Sequence, residues 1–342
     1  MPHLLSWQNN PYTSKKHLDV RPYDENSNAY YIGITGGSVA FLFYQEGLDT
    51  LKDKLQQCSY FQDKEIVFVS MAIMGFKQPQ QLMALNYYLS MGGQLDLLIN
   101  IDGFNEVVLG ILENVPVNVN PFYPRGWYYL TQGLADRDVL MGAGAMLNTV
   151  EQTKRITKLA DTSPIQYSFT AALLWKLYVK NAGYKILRLQ QNIHQQASDS
   201  EDNMALTLDA CQVVADNLAE DLHTVWQTCS VQMDVVCRGN DIRYYHFLQP
   251  NQYFDVPKPF SESELALDRN PHIELLVTAL YPGLISKGRE LAAQGIQFHD
   301  MTMVFSDVPD TLFIDECCHF NRRGNEILAE AIAGVIVDDY CR

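Results

Sequence analysis

Short apolar runs punctuated by glycine set the rhythm of the first hundred residues. Tyr30-Tyr31-Ile32-Gly33-Ile34 reads as a strand, broken by Thr35-Gly36-Gly37-Ser38. The stretch 39–55 then carries Phe43, Leu48, Leu51 and Leu55 at helical spacings, which predicts a helix. A second apolar run, Ile66-Val67-Phe68-Val69, leads to Gly75 and a helix expected over about 79–89, with Pro79 suited to its first turn. A third run over 95–101 ends in Asp102-Gly103-Phe104-Asn105. Strand, turn and helix repeated at this pace predict a parallel sheet with covering helices.

The rhythm then changes. From about residue 136 to 238 the pattern is mostly helical, with one helix expected over 165–178. Another is expected from near Glu201, where Ser198 and Glu201 have the spacing of a capping box. Leu218, Leu222, Val225, Cys229, Met233 and Val236 step by three and four, the stripe of a core-facing helix. Strand patterns resume over 242–248 and near 296–298, and a final helix is expected over 323–337. No repeat or low-complexity tract interrupts this order. The expected organisation is a polar N-terminal arm over 1–28 and one α/β domain over 29–342. That domain carries a mainly helical insertion at about 111–240.

Composition narrows the function classes. With 342 residues, 47% of them hydrophobic, the chain can bury a sizeable core. Its 25 basic side chains against 40 acidic ones leave a net charge of −15, which argues against a general nucleic-acid partner. No apolar run reaches the length of a transmembrane segment. The polar start shows no signal-peptide pattern. The seven cysteines, at 58, 211, 229, 237, 317, 318 and 341, are odd in number and show no C-x2-C pair. Reduced, mostly buried thiols are expected. They point toward the cytoplasm, whereas an upstream anchor would place the chain outside it; the compartment stays open, leaning extracytoplasmic.

In open parallel sheets, ligands bind beyond the carboxyl ends of the strands. Three clusters of small or polar residues fall there: Gly36-Gly37-Ser38, Gly75, and Gly103-Phe104-Asn105. On a sharp strand-to-helix turn, Ser38 can expose its hydroxyl beside backbone N–H groups that face a developing anion. The same string also reads as a plain glycine turn with Ser38 as a helix cap. Near the other end of the chain, Phe313-Ile314-Asp315-Glu316-Cys317-Cys318-His319-Phe320-Asn321 leads into the last helix. His319 just after two acids supplies the parts of a general base and its orienting carboxylate.

Together these residues resemble the SGNH hydrolase (GDSL-like lipase/esterase) superfamily over roughly residues 30–336, with the helical insertion poorly matched. Gly36-Gly37-Ser38 is similar to the GDS block, which implies Ser38 as nucleophile and its N–H as an oxyanion-hole donor. Gly75 resembles the second-block glycine, a second N–H donor. Gly103-Phe104-Asn105-Glu106 is similar to the GxND block and implies Asn105 as the third donor. His319 matches the histidine of the DxxH block, and Gly324-Asn325-Glu326-Ile327-Leu328-Ala329 resembles the family's final helix. The resemblance implies a flavodoxin-like three-layer α/β/α sandwich with five parallel strands. It also implies ester hydrolysis through an acyl-enzyme on a small-molecule or carbohydrate ester, without cofactor or metal.

Three positions depart from the family pattern. Gly37 stands where the GDS aspartate would be, and Glu106 where the GxND aspartate would be. Asp315 lies four residues before His319, and Glu316 lies at the family's three-residue spacing, so either carboxylate could orient the ring; Asp315 is favoured by residue type. Cys317 and Cys318 have no assigned role. Rival readings are a dinucleotide site, which the string from Gly33 to Ser38 does not fit, and a binding module without turnover. An acyltransferase or a thioesterase would use the same machinery. The aromatic stretch over 121–129 could wall a substrate cleft or simply pack within the insertion.

Overall fold

The structure is a computed structural model that describes residues 28–117, 119–125, 137–160, 168–199, 208–254 and 258–341. The apolar runs form strands β1 (Ala29–Gly36), β2 (Glu65–Ser70), β3 (Leu97–Asp102), β4 (Arg243–Leu248) and β5 (Gln297–Asp300). All four pairings are parallel, in the order β2-β1-β3-β4-β5. Every residue of β3 is buried, as expected for a central strand covered on both faces. The order reverses at β1, so a topological switch point lies between the carboxyl ends of β1 and β3.

The helices are α1 (Ser38–Glu46), α2 (Leu48–Leu55), α3 (Gln80–Ser90), α4 (Phe104–Leu109), α5 (Arg137–Ala160), α6 (Phe169–Asp199), α7 (Leu208–Arg238), α8 (Glu262–Leu265), α9 (Pro271–Ala293) and α10 (Arg322–Tyr340). The single helix expected over 39–55 is thus two, interrupted at Gly47. Helices α1, α2 and α10 pack together as one layer; α3, α4, α7 and α9 form the other. The fold is the three-layer α/β/α sandwich with a flavodoxin-like sheet.

On α7, Leu222, Cys229 and Met233 are buried and Leu218 and Val236 lie against the core, as the stripe predicts. That packing makes α7 part of the sandwich itself. Among the described residues, those up to 125 and from 208 onward form the α/β unit, and those from 137 to 199 form a second compact unit. Helix α7, expected within the insertion at about 111–240, thus belongs to the α/β unit. Within the second unit α5 and α6 pack on each other, and Trp175 Nε1 donates to Thr157 Oγ1 at 3.1 Å. Ser198 sits inside α6 and does not cap a helix, and Glu201 lies outside the described residues. The arm expected over 1–28 also lies outside them, apart from Asn28.

The thiol expectation needs correction. Cys58 and Cys341 form a disulfide across 283 positions of sequence, with their Cα atoms 6.1 Å apart. It joins the loop after α2 to the end of α10, two helices that pack on one another. Cys229, Cys237 and Cys318 are free and buried, and Cys317 is free and half-buried. Cross-linking so long a loop restricts the unfolded chain. Replacing both Cys58 and Cys341 with serine is expected to cost about 3–5 kcal/mol of stability, seen as a lower denaturation midpoint; an unchanged midpoint would show that the bond adds nothing. No described helix is long and apolar enough to cross a membrane.

Candidate active site

The site is built where β1 and β3 part. Gly36 ends β1 at φ +146°, and a Cβ there would overlap the Ile101 carbonyl of β3. Only glycine lets the backbone turn so close to the neighbouring strand. At Gly37 a Cβ would collide with the side-chain amide of Asn105. A side chain at this position would have to displace the Asn105 amide. Gly37 is the N-cap of α1 and provides no side-chain cap. Ser38 is therefore the first helical residue, and its hydroxyl is spent on neither cap nor turn. Its Oγ lies 2.7 Å from His319 Nε2.

His319 arrives on a tight loop closed by the Phe313–Phe320 bridge, with the Ile314 N–H donating to the His319 carbonyl at 3.1 Å. Asp315 organises that loop. Its Oδ1 accepts the N–H groups of Cys317 (2.9 Å) and His319 (3.3 Å), and its Oδ2 is hydrogen-bonded to His319 Nδ1. Folding the loop over one carboxylate is what brings His319 back onto Asp315, four residues before it. Glu316 is exposed, and the loop holds it through its carbonyl, which accepts from the Tyr253 hydroxyl. Of the two candidate acids, the structure thus brings Asp315 to the imidazole.

A buried ion pair anchors the approach to this loop. Lys258 Nζ lies 2.9 Å from Glu264 Oε2, and Glu264 Oε1 accepts the N–H groups of Leu312 (2.9 Å) and Phe313 (3.0 Å). Burial disfavours the Glu264 carboxylate, but the N–H groups of Ser261, Phe313 and Leu312, together with Lys258, outweigh it and bring its pKa down to about 2. The same competition operates in the Asp315–His319 pair. Burial works against both charges, yet the mutual hydrogen bond and attraction prevail. Asp315 is held below the ordinary carboxylate range, and His319 above the ordinary imidazole one.

The other two sequence clusters flank Ser38. Asn105 is buried, and its Nδ2 donates to the Phe76 carbonyl at 2.7 Å, next to Gly75. Gly75 is buried at φ +78°, with the aliphatic part of Arg125 lying over it. Arg125 pairs with Glu113 at 2.7 Å. The described part of the aromatic stretch secures the neighbouring loop: the Phe122 carbonyl accepts from Gln80 Nε2 at 2.8 Å, and the Tyr123 carbonyl accepts from Lys77 Nζ. Residues 126–129 of that stretch lie outside the described residues.

Glu106 has more to do than its place in the motif suggested. Its Oε2 accepts the Gly103 N–H at 2.8 Å, and its Oε1 accepts the Gln78 N–H (2.9 Å) and Gln81 Nε2 (3.1 Å). One buried carboxylate therefore joins the loop after β2 to the loop after β3. The longer arm of glutamate makes that reach possible. Burial and the nearby charge of Asp102 raise its pKa.

Beneath it lies a polar chain that sequence reasoning missed. Asp102 Oδ1 accepts from Trp226 Nε1 at 2.8 Å and meets His246 Nε2 at 2.7 Å, while Ser230 Oγ meets His246 Nδ1 at 2.8 Å. Serine, histidine and aspartate are aligned here as well, but all three are buried, with no route for a substrate. The chain joins α7 to β3 and β4. A polar side chain in the buried face of a strand, such as Asn100 or His246, was the available signal.

The fold and site define a flavodoxin-like α/β sandwich that carries a hydrogen-bonded serine, histidine and aspartate at its switch point. No protein-family profile matches the sequence. No curated protein matches it either. Among solved structures, the chain is similar to a GDSL-like lipase from Bacteroides thetaiotaomicron, with 9% identity, 98% of each chain covered and a TM-score of 0.43. It is also similar to a putative acylhydrolase from Bacteroides fragilis, at 10% identity and a TM-score of 0.40, over 98% of this chain and 99% of that one. A third likeness, to a gut microbial diltiazem-metabolizing enzyme, has 10% identity and a TM-score of 0.42; it covers 93% of this chain and 48% of that one.

Proposed function

We propose that the chain is an SGNH-type serine hydrolase that cleaves carboxylic esters through an acyl-enzyme, with short-chain or carbohydrate O-acyl esters as its substrate class. The supporting observation is the continuous run from Ser38 Oγ to His319 Nε2 and from Nδ1 to Asp315. In this reading Ser38 Oγ attacks the acyl carbonyl while His319 takes its proton, and Asp315 holds the ring in the tautomer that leaves Nε2 free to accept. The tetrahedral oxyanion is met by the N–H groups of Ser38 and Gly75 and by the Asn105 side-chain amide. Collapse of that intermediate expels the alcohol, which takes the proton from His319. Water activated by the same imidazole then frees the acid and restores Ser38. Asn105 spends one amide hydrogen on the Phe76 carbonyl, and its second is assigned to the oxyanion.

A fluorophosphonate probe tests the proposal most directly: peptide mapping should find the label on Ser38 and nowhere else. A chain that resists the probe and leaves p-nitrophenyl acetate intact would be a binding module. The oxyanion assignment has its own test. Asn105→Ala is expected to lower kcat about a hundredfold or more with a smaller change in KM. Gly37→Ala should also lower kcat, because its methyl group displaces the Asn105 amide. Unaltered kcat in both variants would remove Asn105 from the oxyanion hole.

A further inference from the structure

The loop that delivers His319 also carries two adjacent thiols outside the proposed chemistry. Cys317 and Cys318 are both free, with their sulfur atoms 3.5 Å apart. The ligating atoms of Cys317, Cys318 and His319 all lie within 4.8 Å of one another, the one such group among the described residues. Tetrahedral zinc with Zn–S bonds of about 2.3 Å sets two thiolate sulfurs about 3.8 Å apart. The pair therefore needs to open by only a few tenths of an ångström. The ring must move further, because a bound nitrogen sits closer to the sulfurs than the present spacing requires. Cys317 and His319 are half-buried and Cys318 is buried, so a cation would reach the group past Cys317 and His319.

We infer that Cys317, Cys318 and a ring nitrogen of His319 form a binding site for a thiophilic divalent cation of the zinc and cadmium class, and that occupancy switches the hydrolase off. The inhibitory part rests on the role given to His319 above. His319 holds Asp315 through Nδ1 and Ser38 through Nε2, so it has no nitrogen to give a metal without breaking one of those bonds. Metal binding and an assembled Ser38–His319–Asp315 run are thus mutually exclusive. The two thiols release their protons to solvent as they become thiolates, and the imidazole binds in its neutral form, so affinity increases with pH. Soft sulfur ligands select against magnesium and calcium. The site is absent from the short-motif zinc patterns because its ligands are consecutive in sequence, in a loop folded over one carboxylate.

Titrating the full chain with cadmium chloride, after mass analysis confirms that both thiols are free, should produce an ultraviolet thiolate-to-cadmium band that saturates at one equivalent. The band should vanish in Cys317→Ser and persist in Cys229→Ser. X-ray absorption of the zinc-loaded wild type should show two sulfurs and at least one nitrogen, a measurement that requires no variant of buried Cys318 to fold. Zinc should inhibit ester hydrolysis reversibly, with recovery on adding EDTA. Each variant is compared with its own metal-free rate, and Cys317→Ser should lose at least tenfold in sensitivity. A zinc shell without sulfur, or a cadmium band untouched by Cys317→Ser, would overturn the site. Sulfur-bound zinc that leaves hydrolysis unaffected would overturn the switch. An inactive wild type that still shows the two-sulfur shell would count against the esterase reading and leave the metal site standing.

Discussion

Replacing Ser38 with alanine is expected to reduce ester hydrolysis by on the order of 10⁴-fold or more, to the background of the oxyanion donors. The loss should fall on kcat, because the missing hydroxyl forms the bond to the acyl carbon. Ser38 caps nothing and its hydroxyl contacts His319, so alanine fits the first turn of α1 without unsatisfied backbone groups. Circular dichroism and the denaturation midpoint should accordingly stay near the wild-type values. His319→Ala should be equally damaging, and the double variant no worse than either single one, because the two residues work as a unit. A Ser38→Ala protein that still hydrolyses p-nitrophenyl acetate at a near wild-type rate would end the nucleophile assignment.

Asp315→Asn is the second large effect. An amide in this position can favour the imidazole tautomer that presents N–H to Ser38, and a loss of up to about 10⁴-fold in kcat follows. The variant should also change the pH profile. Hydrolysis needs neutral His319, so activity rises with pH through the pKa of that ring. Burial depresses this pKa, and the bond and charge of Asp315 raise it above the ordinary imidazole value. Removing the charge leaves burial as the largest remaining influence, so the acidic limb of kcat/KM should move to lower pH even as the plateau falls. Glu316→Gln should leave both limb and plateau near wild type, because that side chain is exposed. If the effects of the two variants were exchanged, Glu316 would be the orienting acid.

Periodicity and glycine placement in the sequence by themselves determined the parallel α/β architecture, for a direct physical reason. A strand buried on both faces is mostly apolar, as in Leu97–Asp102, where Asn100 and Asp102 are the polar exceptions, and a helix covering it repeats its apolar residues every three or four positions. Those signals are local. That Ser38, Gly75, Asn105 and His319 would meet was legible because each sits after the carboxyl end of a strand or in the loop leading into the last helix, the edge at which a parallel sheet gathers such loops. The tertiary structure decided what depends on contacts across the chain. The choice between Asp315 and Glu316 turned on the curl of one loop, which a spacing of three or four residues leaves open. The Cys58–Cys341 bond depended on α2 meeting α10 across 283 positions. Helix α7 read as part of an insertion until Trp226 met Asp102, and Glu106 read as a neutral replacement until its carboxylate reached Gly103 and Gln78. The disulfide, the Trp226–Asp102 bond and the Glu106–Gln78 bond join segments that share no local pattern, so only the packing of the sheet and its helices could bring those partners together.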